Sequence, residues 1–230
     1  MKYKHIFFDL DRTLWDFDKN SEKTLKQLYR DFGLQNTFGN FLFFKERYEY
    51  HNKKLWIAYY QKRIEKEELS YRRFYITLKE AGQDDIELAK EIAQEFLDLS
   101  PLQTEIFPNT HSCLDYLKSK AYKLHIITNG FNEVQGRKLQ NSKLDSYFTK
   151  VITSEDAGAN KPHAQIFEFA LNQTGAKPDE CIMIGDDLNT DIKGARNMGM
   201  DSIYFNPKKI KHTEKVTFEV ENLKELIDIL

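Results

Sequence analysis

The sequence predicts an α/β fold: a mostly parallel sheet covered by helices on both faces, with an all-helical module inserted after the first strand. Three observations carry this expectation. Short β-branched and aromatic runs alternate with helical patterns of about ten residues, as in a parallel sheet built from strand–helix–strand units. Residues 17–100 break that alternation and offer no convincing strand, only long helical stretches. Acidic and polar residues recur directly after successive strands, where open parallel sheets bind ligands.

The first strand is expected within Tyr3–Leu10, where Ile6, Phe7 and Phe8 form a run short and apolar enough for a buried strand. Similar runs at Tyr122–Thr128, Lys150–Thr153, Glu180–Gly185 and Ser202–Phe205, with a weaker one at Lys215–Phe218, supply the others. Between them, Asn109 is placed to cap a helix that turns Cys113, Leu114 and Leu117 inward. After Pro162, residues 163–173 carry Ile166, Phe167, Ala170 and Leu171 on one face and stop at Gly175. Ile192, Ala195 and Met198 give a further face, stopped by Gly199. In the insert, helices are expected over 20–33, about 38–66, 70–81 and 84–98. Its segment 41–75 holds eleven aromatics, expected chiefly to pack helices, and nine Lys or Arg against five Glu, a basic excess suited to capturing an anion. The expected organisation is a core of residues 1–16 and 101–230 and a helical cap domain of residues 17–100, folding over the carboxyl ends of the strands.

At 230 residues and 40% hydrophobic content the chain can bury one sizeable core and a smaller second one. A formal net charge of -2 gives no global mark of a nucleic-acid binder. The opening MKYKHIFFDLD meets an acid before any long apolar run, which fits neither a signal peptide nor a membrane span. A soluble, cytoplasmic protein with no membrane or nucleic-acid partner is expected. Cys113 and Cys181, the two cysteines, are expected as buried structural thiols.

Polar residues after the strands make the sharpest pattern. The first strand ends in Asp9-Leu10-Asp11-Arg12-Thr13 and the second in Thr128-Asn129-Gly130. Ser154-Glu155-Asp156 and then Lys161-Pro162 follow the third, and the fourth ends in Gly185-Asp186-Asp187 with Asp191 close behind. Carboxylates crowded at one sheet edge raise one another's pKa unless a counter-charge is present. A hard divalent cation with oxygen ligands relieves this, and Mg²⁺ takes one or two carboxylates together with phosphate oxygens. The six histidines are scattered, which counts against zinc. GxxxxGK[ST], GxGxxG and GxSxG patterns are all absent, which removes an ATPase-type phosphate loop, a dinucleotide site and a serine nucleophile elbow. Phosphoryl transfer is the most economical chemistry left.

The set FDLDRTL, ITNG, KP and IGDDLNTD resembles, in order, the four motifs of the haloacid-dehalogenase-like (HAD) hydrolase superfamily, mainly Mg²⁺-dependent phosphatases with a Rossmann-like core and an inserted cap. The resemblance implies Asp9 as nucleophile, Asp11 as general acid/base, Thr128 as a hydrogen-bond donor to the transferring phosphoryl group, and Lys161 as the cation that neutralises nucleophile and phosphate. It further implies metal ligation by Asp9, the backbone carbonyl of Asp11, and Asp186, with Asp187 and Asp191 in outer positions. Asn129 and Gly130 would turn backbone N–H groups toward the phosphate. Asp11 sets the chain apart from the dehalogenases that name the family, which lack an acid there.

ITNGFNEVQGRKLQNSKLDSYF followed by SEDAGANKPHAQIF is similar to a subgroup of noncanonical pyrimidine 5′-nucleotidases with a helical cap. This implies a small phosphorylated metabolite as substrate, a nucleoside 5′-monophosphate such as UMP or dTMP. A sugar-phosphate phosphatase, a phosphosugar mutase and a receiver-like phospho-acceptor module are the alternatives. Arg12 and Trp15-Asp16 depart from the commoner pattern, and Gly136 within a helix invites a close approach by the cap.

Overall fold

The computed structural model describes residues 2–230; residue 1 of the expected core segment lies outside them. The chain divides into two compact units, Met1–Phe17 with Thr104–Leu230, and Asp18–Gln103. No helix among the described residues is long and apolar enough to cross a membrane.

The chain runs β1 (His5–Phe8), α1 (Phe17–Asp31), α2 (Gln35–Phe38), α3 (Phe41–Tyr60), α4 (Lys66–Glu80), α5 (Ile86–Leu99), α6 (Thr110–Ser119) and β2 (Lys123–Thr128). It continues through α7 (Asn132–Asn141), β3 (Lys150–Thr153), α8 (Ser154–Ala157), α9 (Ala164–Thr174), β4 (Cys181–Gly185), α10 (Lys193–Asn197), β5 (Asp201–Phe205), β6 (Phe218–Val220) and α11 (Leu226–Ile229). The six strands form one sheet of order β3-β2-β1-β4-β5-β6, parallel throughout. Strand order therefore reverses around β1, whose neighbours are β2 and β4, and a parallel sheet opens its ligand crevice at that point.

Alternation along β1 sends Ile6 and Phe8 into a core with Leu114, Leu117, Ile126 and Ile184, and Phe7 into a second core with Ile127, Phe167 and Met183. Both faces are thus covered, which is why the strands read as apolar runs rather than as alternating ones. The last strand lies further along than its weak signal suggested, at Phe218–Val220 rather than Lys215–Phe218. It is a three-residue edge strand in which only Val220 is buried, too little apolar content to mark its bounds. Asn109 precedes α6 with a left-handed backbone, φ 68°, and its side chain makes no cap bond; the amide donates to Asn222 instead. Both cysteines are free and buried, and burial pushes each thiol up to about 12.

The second unit is wholly helical. Where one helix was expected over about 38–66, the chain breaks at Gly39, and Asn40 caps α3 by accepting from the Phe43 N–H at 2.9 Å. Its core gathers Leu25, Leu28, Phe44, Tyr48, Phe74 and Phe96, with Tyr48 stacked on Phe74 at 4.7 Å. Phe43 and Tyr50, by contrast, stay exposed.

A pair of buried imidazoles sits in the first unit, away from the carboxyl ends of the strands. His5 Nδ1 and His125 Nε2 are 3.0 Å apart, the rings stack, and His125 Nδ1 has no hydrogen-bond partner. Burial, aided by His5, Lys123 and Lys150, pushes His125 down to about 4. The unfolded chain therefore binds a proton on this residue below about pH 6.5 that the folded chain refuses until about pH 4. The associated stability is complete above that window and is lost as pH falls through it, by about 2 kcal/mol once residual solvation is allowed for. Urea unfolding at pH 7 and pH 4.5 measures this: between the two, wild type should lose about 2 kcal/mol relative to His125→Leu, and an equal change in both proteins rejects the assignment.

Candidate active site

The site grows from the ends of β1, β2 and β4 and from the loop before α9. Beyond β1 the chain turns sharply: the Asp9 N–H is still bonded to Ile184 O at 2.8 Å, and Arg12 then adopts φ 66°. Left-handed backbone in a non-glycine residue is uncommon and concentrates at functional turns. This turn sends Asp9 and Asp11 to different partners.

Asp9 is buried, and its Oδ1 lies 2.5 Å from Lys161 Nζ. The same ammonium donates to Ile127 O at 2.7 Å and forms an ion pair with Asp191 Oδ1 at 2.7 Å. Thr13, fully buried, turns its hydroxyl toward Asp9 Oδ2 and Asp186 Oδ1 at 3.5 and 3.4 Å. Carboxylate oxygens of Asp9, Asp186 and Asp191 lie within 4.8 Å of one another.

Three carboxylates crowd a desolvated setting in which Lys161 pairs with Asp9 and Asp191, and the titration reflects it. Burial, opposed by Lys161 and reinforced by Asp191, raises Asp9 to about 7. Burial and then Asp9 and Asp191 raise Asp186 to about 8. Asp191 is likewise raised, by burial first. For Lys161, burial works against the charge, yet Asp191 and Asp9 outweigh it and hold the ammonium above its ordinary value. Lys161, with Arg12 opposing the shift of Asp186, does not balance the cluster. An all-oxygen donor set of this kind fits a hard divalent cation.

Asp191 was expected in an outer position, and the structure brings its carboxylate to Lys161 and into the cluster. The cause is a π-helical turn, Leu188–Ile192, which ordinary helical periodicity does not reveal. Gly185 makes room: a Cβ there would lie 2.2 Å from Asp191 Oδ2. Asp187 instead is exposed and caps that turn, accepting from the N–H groups of Asn189 and Thr190 at 2.7 and 3.2 Å. Glu155 and Asp156 also serve local structure. Glu155 accepts from the Asn132 N–H, and Asp156 completes a capping box with Thr153 at the start of α8.

At the end of β2, Asn129 and Lys161 make a reciprocal pair. The Asn129 amide donates to Lys161 O at 3.2 Å, and its Oδ1 accepts from the Lys161 N–H at 2.8 Å. The Asn129 side chain is thereby spent on fixing the loop that delivers the lysine. The Gly130 N–H turns back to Thr128 Oγ1 at 3.1 Å. Gln135 Nε2 donates to the same hydroxyl at 2.6 Å, so Thr128 receives two donors and keeps its own hydrogen to offer.

Gln135 and Lys138 are participants that the sequence reading missed. Lys138 Nζ lies 2.6 Å from Asp11 Oδ1, and Gln135 Nε2 lies 3.0 Å from Asp11 Oδ2. The Asp11 carboxylate thus stands outside the Asp9–Asp186–Asp191 cluster, held by its own cation. Their signal is the poverty of apolar residues in NEVQGRKLQN, which leaves polar side chains to fill part of the helix's inner face. Gly136 between them is exposed, and nothing lies within 4 Å of the Cβ it lacks.

Over residues 3–199 the sequence matches the haloacid dehalogenase-like hydrolases. It is 34% identical to the pyrimidine 5′-nucleotidase PynA of Streptococcus pneumoniae, covering 100% of this chain and 96% of that one. It is 32% identical to the pyrimidine 5′-nucleotidase YjjG of Escherichia coli, over 100% and 99% of the two chains. A glyceraldehyde 3-phosphate phosphatase of Methanothermobacter thermautotrophicus is 32% identical over 97% of this chain and 99% of its own. Among solved structures, the HAD-hydrolase YfnB of Bacillus subtilis, crystallised bound to magnesium, superposes with a TM-score of 0.89 at 26% identity, over 100% and 99% of the chains.

Proposed function

The chain belongs to the haloacid dehalogenase-like hydrolases, and from that premise we propose that it is a Mg²⁺-dependent phosphomonoesterase acting on nucleoside 5′-monophosphates, pyrimidines foremost. The observation that carries this reading is the division of the two aspartates: Asp9 in the buried carboxylate cluster against Lys161, and Asp11 outside it against Lys138. Two carboxyl groups in contrasting surroundings suit two different roles.

In the first step an Asp9 oxygen attacks phosphorus, and the bond from phosphorus to the ester oxygen breaks. Asp11 gives its proton to the departing alkoxide. In the second step Asp11 takes a proton from water as that water attacks the aspartyl-phosphate; the bond from phosphorus to Asp9 breaks and phosphate leaves. Lys161 opposes the burial that disfavours ionised Asp9 and faces the negative charge of the phosphoryl group, and Thr128 donates its free hydrogen to a phosphoryl oxygen. Asp9 and Asp186, with Asp191 in reach and the Asp11 carbonyl nearby in the chain, would hold the cation, which when bound supplies positive charge to the phosphoryl oxygens.

The nucleotide preference rests on the likeness to PynA and YjjG. The phosphatase from Methanothermobacter keeps a triose phosphate in view as the second reading. Phosphate release from UMP, dTMP, ribose 5-phosphate and glyceraldehyde 3-phosphate distinguishes them, with kcat/KM expected to be highest for the pyrimidine nucleotides. A preference for either sugar phosphate would leave the chemistry standing and remove the nucleotide assignment. EDTA should silence the enzyme and Mg²⁺ restore it, whereas activity that survives exhaustive chelation rejects the metal role.

A further inference from the structure

Building on the reading of Asp11 as the proton-transfer group, we propose that Lys138 and Gln135 are positioning residues that lock the Asp11 carboxylate in place beside the phosphoryl-binding hydroxyl of Thr128. Neither belongs to the strand-end motifs; both come from one face of α7, three residues apart, on a single rigid helix.

The geometry is specific. Each Asp11 oxygen has one anchor: Lys138 Nζ on Oδ1 at 2.6 Å and Gln135 Nε2 on Oδ2 at 3.0 Å. A carboxylate oxygen offers about two acceptor positions, so one stays free on each for proton exchange. The same Gln135 nitrogen spends its other hydrogen on Thr128 Oγ1 at 2.6 Å. One amide group therefore spans the proton-transfer group and the hydroxyl that would hold the transferring phosphoryl. Gly130 closes the third side, since a Cβ there would lie 2.4 Å from Gln135 Nε2.

Lys138 is costly for a purely structural role. It is 3% exposed, with its ammonium 4.2 Å from the centroid of Trp15 and its charge set against Asp11. An apolar side chain of similar volume fills such a space at no greater cost in stability. Asp11 is only partly buried and lies next to the left-handed Arg12, so its side chain without anchors has room to turn toward solvent. Displacing a catalytic group by about 1 Å can cost about 100-fold in rate, which gives the anchors their value.

The test is a mutant cycle. Lys138→Met, Lys138→Arg and Gln135→Met are made in the wild-type and Asp11→Asn backgrounds. Phosphoenzyme formation is followed in single turnovers with an alkyl phosphate and with an aryl phosphate whose leaving group needs little protonation. Lys138→Met should slow the alkyl ester about 10–100-fold and the aryl ester far less, with KM within about twofold, and Lys138→Arg should recover part of the loss. In the Asp11→Asn background Lys138→Met should cost less than about twofold more, because a residue that acts through Asp11 has nothing left to position. Equal losses on the two esters, or a Lys138→Met loss that multiplies the Asp11→Asn loss in full, overturns the proposal. If Asp11→Asn itself treats the esters alike, the acid role fails and the proposal with it. If Asp11→Asn discriminates and the positioning variants do not, the proposal fails alone. Should Lys138→Met not fold, Lys138→Arg and Gln135→Met decide by the same criteria.

Discussion

Asp9→Asn should abolish phosphate release, by at least about 10⁴-fold, while the thermal midpoint stays at or above that of the wild type. The asymmetry follows from the cluster. Asp9 is one of three clustered carboxylates, and burial already raises its pKa to about 7, so its negative charge is a burden on the fold. An amide of the same shape removes that charge and also the nucleophile. Trapping with radiolabelled substrate should yield an acid-stable, hydroxylamine-sensitive phosphoenzyme from the wild type and none from the variant. A variant that keeps more than a few per cent of turnover sinks the nucleophile assignment.

Lys161→Met should act on stability and catalysis together. Lys161 is 1% exposed and is the ammonium directly paired with both Asp9 and Asp191. Removing one partner from a buried ion pair leaves the rest uncompensated and typically costs about 3–5 kcal/mol. Turnover should also fall about 10²–10³-fold, the usual loss when a preorganised electrostatic group is removed from a reacting centre. The double variant Asp9→Asn/Lys161→Met should be more stable than Lys161→Met alone, since it carries one fewer unpaired carboxylate. Denaturant titration of the three proteins measures this. Additive stability changes would show that the pair in the structure is not energetically coupled.

Most of the sheet was legible because both of its faces are buried. Such strands are short apolar runs, and β1 to β5 fall within or against the runs marked for them. The acids, threonine and lysine that follow those strands were legible for a related reason: the carboxyl ends of parallel strands are where polar side chains can collect without disturbing either core. Three features were not. Asp191 turns inward through a π-helical turn, and one wider turn leaves no trace in a 3.6-residue pattern. Gln135 and Lys138 reach Asp11 only through the angle at which α7 leaves β2, a tertiary fact. The break at Gly39-Asn40 divides an otherwise helix-compatible stretch through a backbone conformation and a cap rather than through any loss of apolar residues.

Gly185 and Asp191 also tie two positions of the chain into one choice. With 2.2 Å between Asp191 Oδ2 and the place a Cβ would take, a side chain at 185 and a carboxylate in this pose at 191 exclude one another. Drift at either site is therefore contingent on the other. A library that randomises residue 185 on its own would recover glycine and little else, while one that varies 185 and 191 jointly would have to give up an acid paired with Lys161 for every side chain it gained.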